Sequence, residues 1–274
     1  MGLSAMLFAT EALFIRWMNE RGIPTSTQVF FRSLGQLAWV LPLILTAGLA
    51  VFRTQRMAMH LFRGGSSALT WGLYFLSFAF LDLATATVLS FTNVMFTTLL
   101  AGPVLKERVD AARWIGTIAG LIGIAVMLRP GAEIHVIGTL TALGAALAWC
   151  GITLSSRSLS RTERTETVLA WVGLVTSLCT LPFAILGWRP IGVGDAAILV
   201  FFGLFTPGII WLVTEALRAG EASAVAPFQY LRLIVIAAFG WLLFGEVPDG
   251  WTWLGAIIIL SGAVVITVSE ARKR

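Results

Sequence analysis

A few strongly polar side chains lie inside otherwise apolar stretches of this sequence, and they are the groups that could do chemistry. Ser90 and Asn93 stand three residues apart in one stretch, and Gln229 and Arg232 have the same spacing in another. On a helix this spacing places each pair on one face. A charged or strongly polar group in hydrocarbon costs roughly 2.5–3.5 kcal/mol, so it needs a partner, a cavity or a function. We predict that both pairs face one cavity, the alternative being hydrogen bonds that hold helices together.

The guanidinium of Arg232 offers the most specific chemistry of these groups. Arginine binds a carboxylate through two parallel hydrogen bonds, which predicts a substrate with a carboxylate, such as an amino acid. Two further charged residues, Glu11 and Arg32, are expected at similar depth in two neighbouring helices. They predict an ion pair that is either a gate, opening and closing as the helices move, or a static structural contact.

Aromatic side chains well inside apolar stretches could line the same cavity. Their rings could stack against a flat apolar substrate, although ordinary helix packing would also account for any one of them. The predicted substrate-binding residues are therefore Trp71, Tyr74, Ser90, Asn93, Trp149, Gln229, Tyr230 and Arg232.

The elements that position these residues must be helices in a membrane. Of the 274 residues, 58% are hydrophobic and 12% are charged, which leaves too little polar surface to solvate a globule. A helix needs about 20 apolar residues to cross the hydrocarbon. The pattern predicts an all-α polytopic membrane protein of ten transmembrane helices, at 3–18, 26–50, 62–81, 84–105, 112–129, 136–156, 165–187, 192–217, 222–245 and 251–269.

The sequence also contains an internal repeat. At one constant offset, Glu107 aligns with Glu246 and Trp114 with Trp253, and the two polar pairs also correspond. Such self-similarity is typical of a duplicated unit. Because the number of helices in each unit is odd, the second unit must enter the membrane from the opposite face, as in transporters with inverted repeats.

The boundaries and the orientation follow from this duplication. We predict one five-helix repeat over 1–130 and a second, inverted one over 131–274. Most Lys and Arg residues between the spans then fall on the side of the N-terminus. By the positive-inside rule, both termini are cytoplasmic.

Several motifs resemble the EamA-type drug/metabolite transporter superfamily over nearly the whole chain. They are Phe244-Gly245-Glu246 and Trp253-x-Gly255, which the first half echoes with Leu105-Lys106-Glu107 and Trp114-Ile115-Gly116. Within that superfamily the chain most resembles the YddG-type amino-acid exporters. One departure is that many relatives place a proline midway in the fourth helix, near Val94, where this chain has none.

The resemblance implies a secondary transporter in the bacterial inner membrane that exports amino acids, aromatic ones included, by alternating access around a midplane cavity. It also implies that the fifth and tenth helices are peripheral. Their glycine-rich faces suit packing or a homodimer. The alternatives are a lipid scramblase or flippase, or a transporter of another metabolite class on the same fold.

Other classes of function lack the residues they need. Gly192-Val193-Gly194-Asp195 matches the string of intramembrane aspartyl proteases, but no second intramembrane aspartate could join Asp195. The two histidines lack ligand spacing and the two cysteines lie in apolar stretches, so no metal and no cofactor are expected. The basic residues are topology signals and do not form a nucleic-acid-binding face. We therefore expect a non-enzyme whose partners are a small molecule and the lipid bilayer.

Overall fold

The computed structural model describes residues 2–105, 111–127, 135–159, 162–219 and 227–271. Within these ranges some positions, including 210–211, 213–219 and 227–231, are described by their backbone only. Every regular element in the described part of the chain is helical, as the composition predicts. Four of the described helices are long and apolar enough to cross a membrane by length and composition, at 25–46, 136–156, 165–186 and 250–269.

The helix boundaries lie close to most of the predicted spans. The helices are α1 (Gly2–Glu20), α2 (Thr25–Ala47), α3 (Met57–Ser77), α4 (Leu83–Ser90), α5 (Asn93–Leu105), α6 (Ala111–Met127), α7 (Val136–Leu159), α8 (Thr165–Leu186), α9 (Val193–Ala219), α10 (Pro227–Phe244) and α11 (Gly250–Ala271). A short 3₁₀ helix, Gly48–Phe52, follows α2. The predicted hairpin around Arg218 to Glu221 lies partly outside the described residues.

The predicted span at 84–105 is wrong in one respect, because it consists of two helices that are separated at Phe91 and Thr92. The amides of both residues bond to carbonyls three residues earlier, at 3.0 and 3.2 Å, so the helix tightens here. The side chains of Ser90, Thr92 and Asn93 also return hydrogen bonds of 2.7, 2.6 and 2.8 Å to carbonyls three residues earlier. These bonds satisfy backbone groups that hydrocarbon would leave unpaired, and no proline is needed.

The helices of the two halves pack in matching pairs. Helix α2 packs against α9, and α8, the predicted counterpart of α2, packs against α3. Helix α1 packs against α10, and its counterpart α7 packs against α4 and α5. For each of these contacts between a helix of the first half and a helix of the second, the two equivalent helices of the opposite halves are therefore also in contact.

Helices α6 and α11 meet through glycines. A Cβ atom at Gly116 would lie 2.6 Å from the carbonyl oxygen of Gly262, and one at Gly123 would lie 2.8 Å from that of Gly255. Only glycine lets the two backbones approach this closely. The glycine faces that suggested a homodimer are thus occupied inside one chain, because they face each other. A homodimer through these faces is not supported.

Candidate functional site

A buried ion pair joins α1 to α2. The Nε of Arg32 donates to Oε1 of Glu11 at 3.0 Å, and the two side chains are only 6% and 4% exposed. Helix α1 presents Glu11 inward because Ala12, Ile15 and Met18 are buried along the same side of the helix. The ion pair that the sequence predicts between these two residues is therefore formed. Its role as a gate stays a prediction.

The same guanidinium lies on an aromatic ring of α3. The Cζ of Arg32 is 3.5 Å from the ring centroid of Trp71, a cation–π contact that strengthens when it is removed from water. Trp71 in turn meets Trp149 of α7 edge-on, with ring centroids 5.3 Å apart. The ring centroid of Tyr74 lies 6.3 Å from that of Trp71 and 4.7 Å from that of Phe78. The structure thus brings three of the predicted aromatic residues, Trp71, Tyr74 and Trp149, into one cluster.

A polar cluster lies at the break between α4 and α5. Arg232 of α10 reaches this break, where its Nη2 is 3.4 Å from Oγ of Ser90, and Asn93 donates to the Ser90 carbonyl. Breaks in spanning helices are where transporters place substrate sites, because irregular backbone is tolerated there only beside protein or a cavity. Asn93 and Arg232 are partly exposed, whereas Ser90 is buried.

Two more aromatic rings flank Arg232, and sequence reasoning missed them. The Cζ of Arg232 is 4.8 Å from the ring centroid of Phe91 and 5.4 Å from that of Phe8. Phe8 lies one helical turn before Glu11, so Arg232 approaches the helix that carries the ion pair. The spacing between these two residues of α1 is the signal that could have linked the polar cluster to the ion pair.

Cys150 connects the aromatic and polar clusters. It follows Trp149 on α7, and its thiol donates to the backbone carbonyl of Asn93 at 3.6 Å and accepts from the hydroxyl of Thr97 at 3.3 Å. In the sequence this cysteine lies in an apolar stretch, but in the structure its thiol pairs with polar atoms beside the helix break. The contacts of Cys150 therefore join the aromatic cluster of Trp71 and Trp149 to the polar cluster of Asn93 and Arg232. The side chains of Gln229 and Tyr230, which complete the predicted set, lie outside the described residues.

A second ion pair closes the end of the bundle that holds the α1–α2 connection, which we call the α1–α2 end. Arg16 donates to the Phe78 carbonyl at 2.8 Å, and its Nη2 is 3.0 Å from Oε1 of Glu246. The other oxygen of Glu246 accepts a hydrogen bond of 2.8 Å from the amide of Leu83, the first residue of α4. A carboxylate from the second half of the chain thus caps the helix that leads to Ser90.

Burial raises the pKa of the Glu246 carboxyl, while the Leu83 amide and the positive charge of Arg16 oppose that shift. Sequence reasoning singled out Glu246 as part of a family motif and gave it no role. Its partners could not be found from the motif, because they lie on helices far away in the sequence.

Further polar contacts hold the α1–α2 end together. Gln28 donates to the side-chain oxygen of Asn19 at 2.8 Å, which ties α2 to α1. Arg21, just after α1, is paired at 2.8 Å with Asp195 of α9. Helix α1 is therefore bound to its neighbours by side chains along its last turns.

Two apolar grooves lie on the surface, and neither is lined by Glu11, Arg32 or Arg232. One, of about 410 Å³, is lined by α2, α3 and α8, and includes the exposed side chains of Leu69 and Phe183. The other, of about 520 Å³, is lined by α1, α9 and α10. Because their walls are mostly apolar, we assign the grooves to lipid contact and the function to the buried clusters.

Comparison of the sequence with models of known protein families identifies the family of this chain. The model described as the EamA-like transporter family matches residues 1–129 and again 136–268. The chain belongs to the EamA-like transporter family. It is accordingly a multi-pass membrane transporter, and this agrees with its apolar helices.

Relatives of this EamA-like protein differ in what they are named for. The riboflavin transporter of Vibrio cholerae is 30% identical over 92% of this chain and 86% of its own length. The S-adenosylmethionine uptake transporter of Rickettsia prowazekii is 29% identical over 89% of this chain and 83% of its own length. These names support the EamA-like family but not, specifically, the YddG-type amino-acid exporters that the motifs suggested.

A solved structure shares the fold. It is a crystal structure of a protein 22% identical to this chain, with a TM-score of 0.60, and the match covers 99% of this chain and 96% of that one.

Proposed function

We propose that this protein carries a flat aromatic metabolite across the bacterial inner membrane, and that riboflavin is the first substrate to test. The observation that carries the proposal is the contact between Trp71 and Trp149, whose ring centroids are 5.3 Å apart beside the polar groups of the α4–α5 break. Indole rings stack on flat heterocycles, and nearby hydrogen-bonding groups fix the orientation of the ring.

The relatives support the same substrate class. Riboflavin and S-adenosylmethionine, for which two of them are named, both contain a flat nitrogen heterocycle. An aromatic amino acid would also satisfy the tryptophan pair, but it is not what those relatives are named for. The shared chemical feature is the ring, and we place it against Trp71 and Trp149.

For the mechanism we propose alternating access between two inverted repeats, 1–130 and 131–274, in ten spans with both termini in the cytoplasm. The exchange of packing roles between the halves supports this arrangement, because two half-folds so related can exchange conformations. The polar contacts of Arg16, Arg21 and Gln28 close the α1–α2 end in the state described here. With the proposed orientation, that end faces outward.

In this mechanism the ion pair between Glu11 and Arg32 holds Trp71 in place. Arg32 touches both the carboxylate and the ring, so a movement of α1 relative to α2 would change the position of the indole. The pair thereby connects the conformation of the α1–α2 end to the shape of the ring site.

The test is counterflow of labelled riboflavin in proteoliposomes. Vesicles loaded with unlabelled riboflavin should accumulate label transiently, whichever direction the protein works in the cell. Trp71→Ala and Trp149→Ala should lower the initial rate about tenfold or more, since a base–aromatic stack is worth about 1–3 kcal/mol. Trp114→Ala is the matched control, because Trp114 is 49% exposed on α6, away from the site.

Other substrates in the same vesicles separate the alternatives. If phenylalanine and tryptophan are exchanged and riboflavin is not, the ring-binding site stands but the substrate is an amino acid. If fluorescent lipid reporters flip between leaflets and no solute is exchanged, the protein is a scramblase and the proposal is wrong.

A further inference from the structure

The charges of the Glu11–Arg32 ion pair and of the neighbouring polar cluster do not balance. Glu11 and Arg32 form a close ion pair, whereas Arg232 is a second guanidinium without its own carboxylate among the described side chains. Arg232 lies against the ring of Phe8, one helical turn before Glu11 on α1. Two guanidinium groups thus lie beside one described carboxylate, and the three charges sum to one net positive charge.

The donors of Arg232 are also poorly used. A guanidinium has five N–H groups, and among the described side chains one of them makes a long contact of 3.4 Å with the Ser90 hydroxyl. The Nε atom is buried and has no hydrogen-bond partner in the part of the chain that the structure describes. The rings of Phe8 and Phe91 on either side supply no acceptor oxygen. Such a group is suited to an acceptor oxygen supplied by the substrate, because buried donors without partners are rare and unfavourable.

From these two observations we propose that the site selects its aromatic substrate by charge. Arg232 binds a carbonyl, carboxylate or phosphate oxygen of the substrate, so neutral acceptor-rich and anionic ring compounds are carried and cationic ones are rejected. This inference rests on the proposed function, since it assigns a charge class to the substrate of the same site. Its physical basis is that charges of like sign repel most strongly where little water separates them.

Two ligands that differ by one methyl group and one charge test the proposal. S-adenosylhomocysteine is net neutral, and S-adenosylmethionine carries an additional sulfonium cation on the same adenosine frame. Each competes with labelled riboflavin in the counterflow assay. We expect the neutral compound to inhibit at a concentration about tenfold or more below that of the cation, because placing like charges side by side costs several kcal/mol.

Variants at one position then show whether Arg232 is the cause. Arg232→Gln should bring the two inhibition constants to within about threefold of each other, which is less than 1 kcal/mol. Arg232→Lys keeps the charge and should keep the discrimination, even if riboflavin binds more weakly because the planar fork is lost. Arg63→Gln is the control, since Arg63 bonds to Ser156 between α3 and α7, away from the cluster.

The outcomes are distinguishable. Equal inhibition of the wild type by the two compounds, or preference for the cation, overturns the charge selection and leaves the ring-binding function intact. Discrimination that persists in Arg232→Gln overturns the role of Arg232. Absence of counterflow of riboflavin, phenylalanine and tryptophan alike in the wild type rejects the proposed function and this inference together, and that outcome is read before any competitor is added. If only an amino acid is exchanged, it replaces riboflavin as the labelled solute in the competition.

Discussion

The guanidinium of Arg32 lies 3.5 Å from the ring centroid of Trp71, while its Nε donates to Glu11 at 3.0 Å. One side chain of α2 is therefore held by a carboxylate of α1 and an indole of α3. Because both contacts are buried, a change at any of the three residues should affect stability and transport together.

Breaking this ion pair should destabilise the protein strongly. Removal of one partner leaves the other charge buried, so Arg32→Ala or Glu11→Ala should lower the free energy of unfolding in detergent by about 3–5 kcal/mol. The double variant Glu11→Ala with Arg32→Ala should lose less than the sum of the two single variants, since neither charge is then left alone. Arg164→Ala is the control, because its pair with Glu166 is solvent-exposed and should change stability by less than about 1 kcal/mol. Additive losses in the double variant would argue against coupling.

The contact between Arg16 and Glu246 should control access from the α1–α2 end. Glu246→Gln keeps an acceptor for the Leu83 amide but removes the ion pair with Arg16, so this end should open more often. Access can be read from the labelling rate of a cysteine introduced by Ala12→Cys, since Ala12 is 2% exposed. The background carries Cys150→Ala and Cys179→Ala. We expect labelling by a water-soluble maleimide to rise about fivefold, as for a loss of about 1 kcal/mol. Arg189→Ala, an exposed charge at the same end, should leave the rate unchanged.

The ion pair between Arg16 and Glu246 should also weaken in acid. Burial raises the pKa of Glu246, with smaller contributions from the charges of Asp82 and Glu20, whereas Leu83 and Arg16 oppose the shift. A raised pKa means that Glu246 takes up its proton while exposed carboxylates, with pKa values of about 4, are still ionised. Because a maleimide reacts with the thiolate, each labelling rate is divided by that of a free thiol at the same pH. The normalised rate at Ala12→Cys should rise as the pH falls below neutral. In Glu246→Gln the normalised rate should already be high and should not depend on pH. A pH response that persists in that variant would place the titrating group elsewhere.

The glycine contact between α6 and α11 should tolerate no larger side chain. A Cβ at Gly123 would meet the Gly255 carbonyl at 2.8 Å, so Gly123→Val forces the helices apart. We expect a loss of about 1–3 kcal/mol in unfolding free energy, the usual cost of overpacking. Gly65→Ala on α3 is the matched control. It meets nothing within 4 Å and should be neutral or slightly stabilising, since alanine favours the helix. Equal stability of the two variants would show that the helices can separate without cost.

Much of the candidate site follows from polarity and spacing. Ser90, Asn93 and Arg232 stand out because strongly polar residues are rare in apolar spans. The structure brings Arg232 to Ser90 and Trp71 to Trp149. The break between α4 and α5 was not predicted, because no proline or glycine lies near residues 91 and 92 and the stretch around them is continuously apolar.

The amino-acid substrate was expected from the resemblance to one subgroup and from Arg232. The names of the relatives do not support that expectation. A guanidinium also binds phosphate and carbonyl oxygens, so the residue type alone could not choose the substrate.

By itself the sequence determined that the chain is helical and lies in a membrane, because hydrocarbon requires long apolar segments whose backbone is paired internally. Spacing along the chain also determined which polar residues share a helix face. The expected depths of Glu11 and Arg32 also predicted their ion pair, which the structure forms. Only the tertiary structure decided the partners of the other charges: Glu246 for Arg16, and no carboxylate among the described side chains for Arg232. Those partners come from helices far apart in sequence. Which of them meet depends on how each helix is rotated and how deeply it packs, and a one-dimensional pattern does not encode either quantity.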